Sequence, residues 1–230
     1  MGDERVVAIV LAAGAGTRVG AGEPKAFLPI DDRPMLALAA SAAAACTAVD
    51  AVIVTAPSGF EDRARACLGF LEKPSTVITG GPLRQDSVRV ALAASPTGTE
   101  IVLVHDAARP FATNELFAEV AAAVAAGADG AIPVVPVPDT VKRVRDGVVV
   151  NTESREGFVF AQTPQGFRVG ALRQAHAAAN EAGREFTDDA AALEWAGYAV
   201  RTVPGELENV KITTALDLDR AVRRGRVGRV

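Results

Sequence analysis

Short runs of apolar, β-branched residues alternate along the chain with longer, alanine-rich segments of helical spacing. The short runs predict buried strands of a parallel sheet, and the longer segments predict helices that cover it. The predicted strands are residues 6–11, 51–55, 76–79, 101–105, 131–137, 199–203 and 210–212. The predicted helices are residues 34–45, 61–71, 86–94, 114–126, 169–182 and 188–196, and a last one opens at Thr214 in capping-box form. The pattern therefore predicts an α/β fold, doubly wound around a mostly parallel sheet.

The alternation breaks between residues 138 and 167, where a β-hairpin is predicted. Strand-like residues 141–145 and 148–151 flank Asp146-Gly147, a pair that strongly favours a tight hairpin turn. A hairpin that protrudes from an α/β domain can reach a second subunit. We find no internal repeat and no linker, so we expect a single domain over residues 1–230 with a hairpin arm at about residues 138–162.

Composition narrows the class of protein. Hydrophobic residues make up 49% and charged residues 23%, which is typical of a folded globular chain. The net charge of −4 does not favour nucleic acid or an anionic membrane as partner. Apolar stretches such as residues 35–45 are too short to span a bilayer, and no signal-peptide pattern is present. With Cys46 and Cys67 interpreted as buried free thiols, we expect a cytoplasmic protein.

A glycine-rich loop follows the first predicted strand. Gly14 and Gly16 allow backbone N–H groups to approach a phosphate closely, and Arg18 and Lys25 add cationic donors. Both cations would neutralise charge that grows on departing pyrophosphate. A dinucleotide-binding loop is the alternative, but the next strand, residues 52–54, ends without an acidic residue for a ribose. A Walker-type loop is excluded because Lys25 does not stand between a glycine and a serine or threonine.

Further motifs follow in loops at or near the ends of predicted strands. They are Gly80-Gly-Pro-Leu-Arg-Gln-Asp-Ser87, His105-Asp-Ala-Ala-Arg-Pro110, Asp139-Thr-Val-Lys142, Thr163-Pro-Gln-Gly-Phe167, Thr187-Asp-Asp-Ala190 and Asn209-Val-Lys-Ile-Thr213. In this order, over residues 6 to 213, they resemble the 2-C-methyl-D-erythritol 4-phosphate cytidylyltransferases of the non-mevalonate isoprenoid pathway. The resemblance implies a Rossmann-like nucleotidyltransferase fold. It also implies transfer of CMP from CTP to the polyol phosphate, giving 4-diphosphocytidyl-2-C-methyl-D-erythritol and pyrophosphate.

The resemblance also assigns roles to single positions. The catalytic residues are expected to be Arg18, Lys25 and Lys211. The nucleotide-binding residues are expected to be Ala12, Ala13, Gly14, Ala15, Gly16, Gly81, Arg84, Ser87 and Asp106. The residues that bind the polyol phosphate are expected to be Asp106, Arg109, Thr140, Arg155, Thr163, Thr187 and Lys211.

Several of these positions have a structural alternative that the sequence leaves open. Ser87 suits hydrogen bonding to a pyrimidine edge but also helix capping. Arg109 can hold a phosphate, brace its loop or form a structural ion pair. Thr187 can cap the helix that follows it, and Lys211 can be a surface lysine. We expect His105 to pack and form hydrogen bonds rather than act as a base, because a phosphate nucleophile is already ionised.

Cofactor and partners are also implied by the resemblance. Mg²⁺ is expected to be held mainly by the triphosphate, since no residue cluster has the spacing of a protein metal site. CTP and a polyol phosphate are the expected substrates, with a homodimer formed through the hairpin arm. In such a dimer Thr140 and Arg155 would enter the neighbouring subunit's site. The alternatives are a cytidylyltransferase for ribitol 5-phosphate, another sugar-phosphate nucleotidyltransferase, or a dinucleotide-dependent reductase.

Overall fold

The computed structural model describes residues 4–14 and 23–227 of the chain. Its strands are β1 Arg5–Leu11, β2 Pro29–Ile30, β3 Arg33–Pro34, β4 Ala51–Ala56, β5 Ser75–Thr79, β6 Thr99–Asp106, β7 Gly130–Pro136, β8 Lys142–Arg145, β9 Val148–Thr152, β10 Val159–Ala161, β11 Gln165–Arg168 and β12 Val200–Pro204. Its helices are α1 Met35–Ala45, α2 Glu61–Leu68, α3 Arg84–Ala94, α4 Asn114–Ala125, α5 Val169–Glu181, α6 Asp189–Trp195 and α7 Ala215–Val227.

The central sheet runs in the order β10-β7-β11-β6-β1-β4-β5, and β12 also pairs with β7. Neighbouring strands β6, β1, β4 and β5 are parallel, whereas β11 lies antiparallel between β6 and β7. The chain builds outward from β1 through β4 to β5 and then crosses back to place β6 on the other side of β1. This reversal is the mark of a doubly wound sheet, so the predicted fold class is confirmed.

Alternate side chains of the central strands enter two separate cores. On β1, Val6, Ala8 and Val10 pack on one face, whereas Val7 and Ile9 pack on the other. Helices α1, α2 and α4 cover the first face, and α3, α5 and α6 cover the second. Because both faces are covered, the strand is apolar without interruption, as the sequence pattern required.

The hairpin is confirmed at the predicted turn. Strand β8 pairs with β9 as a small sheet of its own, and both residues of the Asp146-Gly147 turn have positive φ, at 50° and 79°. Positive φ at both central residues is the geometry that this dipeptide favours. The return strand β10, which the sequence did not predict, pairs antiparallel with β7 and rejoins the central sheet.

One predicted strand is absent, and one predicted helix is shorter than expected. The strand predicted at residues 210–212 is absent: the segment is irregular, with the Ile212 N–H donating to the carbonyl of Ala108 and its side chain buried against α7. The helix predicted to reach residue 71 ends at Leu68, and the Leu71 N–H donates to the Leu68 carbonyl in a closing turn. In both places the apolar residues lie in a turn or loop and not in a helix or strand. The described helices include none with the length and apolar character needed to cross a membrane.

Candidate active site

The reversal of strand order places a crevice beside the carboxyl ends of β1 and β6. Leu11, the last residue of β1, is in register with Asp106, the last residue of β6. The loops that leave the two strands separate there, and the Ala107 N–H donates to the Leu11 carbonyl between them. Sheets of this class bind ligands at such a switch point, so the fold itself directs attention to these loops.

A cleft of about 440 Å³ opens at this position. Its walls are the β1 loop, the turn before α3, the end of β6 and the segment before α7. The predicted nucleotide-binding or catalytic residues that line it are Ala12, Ala13, Gly14, Lys25, Gly81, Arg84, Ser87, Asp106 and Lys211.

A smaller cavity of about 160 Å³ adjoins the cleft. The residues predicted to bind the polyol phosphate that line it are Asp106, Arg109, Thr163, Thr187 and Lys211. Three side chains line both cavities: Arg84, Asp106 and Lys211. A ligand in the larger cleft and a second ligand in the smaller cavity would therefore meet at these side chains. We call this trio the junction.

Asp106 is the negative centre of the junction. Its Oδ2 lies 2.6 Å from Lys211 Nζ and its Oδ1 lies 3.4 Å from Arg84 Nε. Burial opposes ionisation of this carboxyl, but Arg84 and Lys211 outweigh it and hold the pKa of Asp106 well below its usual range. Asp106 is therefore a carboxylate at neutral pH, able to accept hydrogen bonds from a hydroxyl-bearing ligand as the sequence suggested.

His105 lies fully buried behind Asp106. Its Nε2 is 3.1 Å from the Arg109 carbonyl, which can only accept, so Nε2 carries the proton and Nδ1 accepts from the Thr163 hydroxyl at 3.1 Å. Burial lowers the pKa of His105 to about 4, so the ring is neutral at physiological pH. It packs against Phe117, with ring centroids 4.9 Å apart. As expected, His105 is a packing and hydrogen-bonding residue.

Thr163 is drawn into the same arrangement. Its hydroxyl donates to His105 and accepts the main-chain N–H of Asp106 at 3.1 Å. The hydroxyl proton is therefore already donated, and Thr163 is a buried residue of the wall of the smaller cavity. Among the described residues, the Thr163 hydroxyl therefore helps to hold the main chain at Asp106 in place.

Lys25 lies at the start of a short 3-10 helix, Lys25–Phe27, and lines the larger cleft. Its Nζ donates to the carbonyl of Ile212, at 2.7 Å, the residue that follows Lys211. Two lysines from distant parts of the chain, Lys25 and Lys211, therefore line the same cleft. Cations placed this way suit a ligand with several phosphate charges.

The turn before α3 is packed against the β1 loop, and only glycine fits there. A Cβ on Gly80 would collide with Ala13, and one on Gly81 would collide with Asp86. The Ser87 hydroxyl accepts the Gly81 N–H at 3.1 Å and is buried in the cleft wall. N-capping by Ser87 is wrong, because the N-cap residue is Leu83, whose N–H is accepted by Asp86 at 3.1 Å.

Arg109 braces its surroundings through backbone carbonyls. Nη1 donates to Asn209 at 2.7 Å and Nη2 donates to Ala161 at 3.2 Å, while Nε is buried without a hydrogen-bond partner among the described residues. The structural ion pair considered from the sequence is not among the described salt bridges. Burial lowers the pKa of Arg109 from its ordinary value although Asp106 opposes this, and the side chain still lines the smaller cavity.

The three residues Thr187, Asp188 and Asp189 have three different environments. Asp188, not Thr187, caps α6 by accepting the Ala191 N–H at 3.0 Å. Thr187 is exposed on the rim of the smaller cavity, which leaves it accessible to a ligand. Asp189 turns inward, where Arg84 Nη1 lies 2.6 Å from its carboxylate.

The family model for 2-C-methyl-D-erythritol 4-phosphate cytidylyltransferase matches residues 6–223. The chain belongs to this family. A cytidylyltransferase from Saccharopolyspora erythraea is 43% identical over 217 residues, which cover 93% of this chain and 96% of the relative. A cytidylyltransferase structure from Thermus thermophilus has 36% identity and a TM-score of 0.77, and covers 96% of this chain and 98% of the other.

Other relatives are longer. A bifunctional enzyme IspD/IspF from Nitratidesulfovibrio vulgaris is 44% identical over 223 residues, which are 93% of this chain but 56% of the relative. The chain thus spans little more than half the length of such bifunctional relatives of the cytidylyltransferase family.

Some predicted residues of the cytidylyltransferase site are not brought to the cleft. Thr140 and Arg155 are exposed on the hairpin arm and line neither cavity, and Arg155 Nη1 donates to the Pro138 carbonyl. Ala15, Gly16 and Arg18 lie outside the described residues. Within the described part of one chain, the arm residues are therefore apart from the junction.

Sequence reasoning missed the polar residues behind the two cavities. Asn209 Nδ2 donates to the Thr163 carbonyl at 2.9 Å, and Gln165 Nε2 donates to Asp188 at 2.7 Å. Buried His176 lies 2.9 Å from Asp189. The signal was present, since Gln165, Asn209 and Asp189 stand inside the quoted motifs, but nothing in the pattern showed which of them point inward.

Proposed function

We propose that the protein transfers the cytidylyl group of CTP to 2-C-methyl-D-erythritol 4-phosphate. The products are 4-diphosphocytidyl-2-C-methyl-D-erythritol and pyrophosphate, in isoprenoid precursor biosynthesis. Family membership over residues 6–223 supports the reaction. The observation that carries it on this chain is the pair of adjoining cavities with Arg84, Asp106 and Lys211 in common.

In the proposed arrangement, CTP occupies the larger cleft and the polyol phosphate the smaller cavity. The β1 loop offers backbone groups to the triphosphate, and the Gly81 turn held by Ser87 offers backbone groups to the base. A buried hydrogen-bonding edge penalises bases that leave it without a partner. Asp106 accepts from a polyol hydroxyl, while Arg109 and Lys211 attract the phosphate of the same molecule.

The chemical step is an in-line displacement at the α-phosphorus. An oxygen of the polyol phosphate attacks and forms a new P–O bond, and the bond from the α-phosphorus to the oxygen that bridges to the β-phosphorus breaks. Its electron pair leaves on pyrophosphate, so no proton has to be removed from the nucleophile. Catalysis then consists of positioning and neutralisation of charge, supplied by Lys25, Arg84 and Lys211 among the described residues.

We also propose that Mg²⁺ arrives bound to the triphosphate, whose oxygens are ligands it prefers. Asp106 is the single carboxylate among the described residues lining the larger cleft, and its oxygens already face Arg84 and Lys211. No group of three or more potential ligand side chains occurs in the described residues. The donor set therefore fits a cation carried in by the nucleotide better than one held in a protein cage.

The reaction is tested with a panel of nucleotides and polyol phosphates. Pyrophosphate release should require CTP, 2-C-methyl-D-erythritol 4-phosphate and Mg²⁺ together, and removal of any one should abolish it. UTP and GTP serve as controls for base choice, and ribitol 5-phosphate tests the alternative substrate. Equal turnover with UTP, or a preference for ribitol 5-phosphate, would overturn the assignment.

We further propose a homodimer in which each arm completes the neighbouring site. The arm exposes an apolar surface: Val144, Val148 and Val149 are more than half exposed, and Phe158 and Phe160 about half. Exposed apolar patches of this kind mark interaction surfaces. Thr140 and Arg155 lie beside them and reach no cavity of their own chain. Two-fold symmetry would carry each arm to the partner reciprocally.

Mixing two inactive variants tests the shared site. In a mixed dimer of Lys25→Ala and Arg155→Ala chains, one site carries both defects and the other is intact. About half of randomly exchanged dimers are mixed, so about a quarter of all sites should recover activity. Lys25→Ala mixed with Lys211→Ala is the matched control, because both lysines line one cleft and no intact site forms. Confirmed subunit exchange without recovery in the first mixture would contradict the model.

We infer that the enzyme acts in the cytoplasm. Cys46 and Cys67 are both free thiols, the first buried and the second half-buried, where burial raises its pKa. Unpaired cysteines suit a reducing compartment. Fractionation of the native cell, with the enzyme followed by antibody, tests this location.

A further inference from the structure

A chain of three ion pairs and a final hydrogen bond runs from the junction into the protein. Lys211 pairs with Asp106, Asp106 with Arg84, Arg84 with Asp189, and Asp189 with His176. The first three side chains belong to the proposed reaction centre. Asp189 and His176 line neither cavity, so the inner end of the chain needs an explanation of its own.

The inner end of this chain of side chains is buried, and both carboxylate oxygens of Asp189 have partners. The side chain of Asp189 is 1% exposed; its Oδ2 accepts from Arg84 Nη1 at 2.6 Å, and its Oδ1 lies 2.9 Å from His176 Nε2. Burial opposes ionisation of Asp189, but Arg84 and the His176 hydrogen bond outweigh it, so its pKa lies below the ordinary value. A buried carboxylate that is hydrogen-bonded on both oxygens at once is oriented from two sides.

Arg84 is held between the two carboxylates. Nη1 faces Asp189 and Nε faces Asp106, whereas Nη2 is buried and lacks a hydrogen-bond partner among the described residues. Burial disfavours the charge of Arg84, but Asp189 and Asp106 reverse the effect and raise its pKa above the ordinary value. An arginine has a flexible stem, and its planar fork is useful only when something fixes its plane.

Asp189 ties two helices together at their beginnings. Arg84 is the first residue of α3 and Asp189 is the first residue of α6, while His176 lies on α5. The ion pair thus sets where the start of α3, including the Gly81 turn before it, stands relative to the smaller cavity. The ion pair ends on Arg84, a side chain that lines both cavities.

We propose that Asp189, oriented by His176, is a positioning residue that fixes the guanidinium of Arg84 at the junction for the phosphates of both substrates. This inference rests on the proposed cytidylyl transfer. Arg84 contacts the reacting groups, and Asp189 acts through Arg84 alone. A displaced guanidinium would still bind phosphate but would stabilise the transition state poorly, so kcat should fall more than KM rises.

A double-mutant cycle separates positioning from general support of the fold. Asp189→Asn should lower kcat/KM by about 100-fold, and Arg84→Met by at least as much. If Asp189 acts only through Arg84, the double variant should match Arg84→Met within about twofold. Losses that multiply in the double variant would overturn the proposal. Asp219→Asn, which removes a surface carboxylate paired with Arg223 at 3.0 Å, is the control and should leave activity unchanged.

His176 provides a second route if Asp189→Asn does not fold. His176→Gln keeps an N–H donor near the position of Nε2, whereas His176→Leu removes it. Near-normal kcat for the glutamine variant and a loss of about tenfold for the leucine variant are expected. Equal activities, or a loss in His176→Leu that persists unchanged in the Arg84→Met background, would contradict action through Arg84.

A readout without turnover keeps this inference distinct from the proposed function. In arginine-labelled protein, the Nη1–H resonances of Arg84, identified by their absence in Arg84→Met, should exchange slowly with water because Nη1 donates to buried Asp189. Asp189→Asn should make these protons exchange faster, and an unchanged exchange rate would contradict the proposal that Asp189 fixes the guanidinium. A wild-type protein that shows the slow resonances but releases no pyrophosphate from CTP would instead refute the cytidylyl transfer.

Discussion

Replacing Lys25 with alanine is expected to lower kcat/KM by about 100-fold or more, which corresponds to about 2.7 kcal/mol of transition-state stabilisation. Lys25 lines the larger cleft and donates to the Ile212 carbonyl beside Lys211. In the proposed reaction, its charge faces the triphosphate, where negative charge grows as pyrophosphate departs. Because that charge develops only as the bond breaks, kcat should carry more of the loss than the KM for CTP.

Lys73→Ala is the matched control for this prediction. Lys73 also donates Nζ to a main-chain carbonyl, that of Cys46, but it lines neither cavity. Both variants lose one lysine and one hydrogen bond to the backbone, so a difference in activity reports position. Steady-state kinetics on folded proteins, with folding checked by circular dichroism, decides the matter. Near-normal kcat/KM for Lys25→Ala would remove Lys25 from the catalytic residues.

Asp106→Asn is expected to reduce both activity and stability. The substitution keeps the shape of the side chain but leaves Arg84 and Lys211 facing each other without the intervening negative charge. We expect kcat/KM to fall by about 100-fold and the free energy of unfolding by about 2 kcal/mol. The expected loss of unfolding free energy is modest because the Lys211 side chain is 42% exposed and water screens its interaction with Asp106.

The stability loss should depend on pH in a defined direction. Arg84 and Lys211 overcome burial and hold the pKa of Asp106 well below its ordinary value. The carboxylate therefore stabilises the wild type fully above the unfolded pKa of about 4, and this stabilisation is lost as pH falls through the lower folded pKa. Denaturant unfolding at several pH values should show the largest difference between wild type and Asp106→Asn above about pH 5, shrinking in acid.

Asp50→Asn provides the comparison for Asp106. Asp50 Oδ2 accepts the Val6 N–H at 2.7 Å at the opposite, amino end of β1, away from the cleft loops. Its replacement should lower stability while the folded variant keeps its kcat. An Asp106→Asn protein with wild-type turnover would show that the carboxylate is a structural ion-pair partner and not part of the reaction centre.

The fold and the general location of the site could be predicted from local patterns. Uninterrupted apolar strands such as β1 require covering helices on both faces, and the Asp146-Gly147 pair demands positive φ. The glycines predicted to bind phosphate and the motif at Asp106 both follow strands, so we expected them at the same carboxyl edge of a parallel sheet. These inferences need only the order of residues and the geometry of one strand or turn.

Contacts between distant segments were not predictable in this way. The strand predicted at residues 210–212 is a loop because Ile212 is bonded to Ala108 and buried against α7, which no local pattern reveals. Likewise Asp188 and Asp189 are identical neighbours, yet one caps α6 and the other pairs with Arg84. Which carboxylate points inward depends on the rotation of α6 against the sheet.

By itself the sequence determined the doubly wound architecture and the hairpin arm, and it predicted a phosphate site at the ends of β1 and β6. Only the tertiary structure decided that Arg84, Asp106 and Lys211 form one junction between two cavities, and that Asp189 and His176 support it from behind. The physical reason is the distance along the chain over which each interaction acts. Backbone propensity and apolar periodicity act over a few residues, whereas a buried charge finds its partner across 105 positions of the chain only after packing has closed the core.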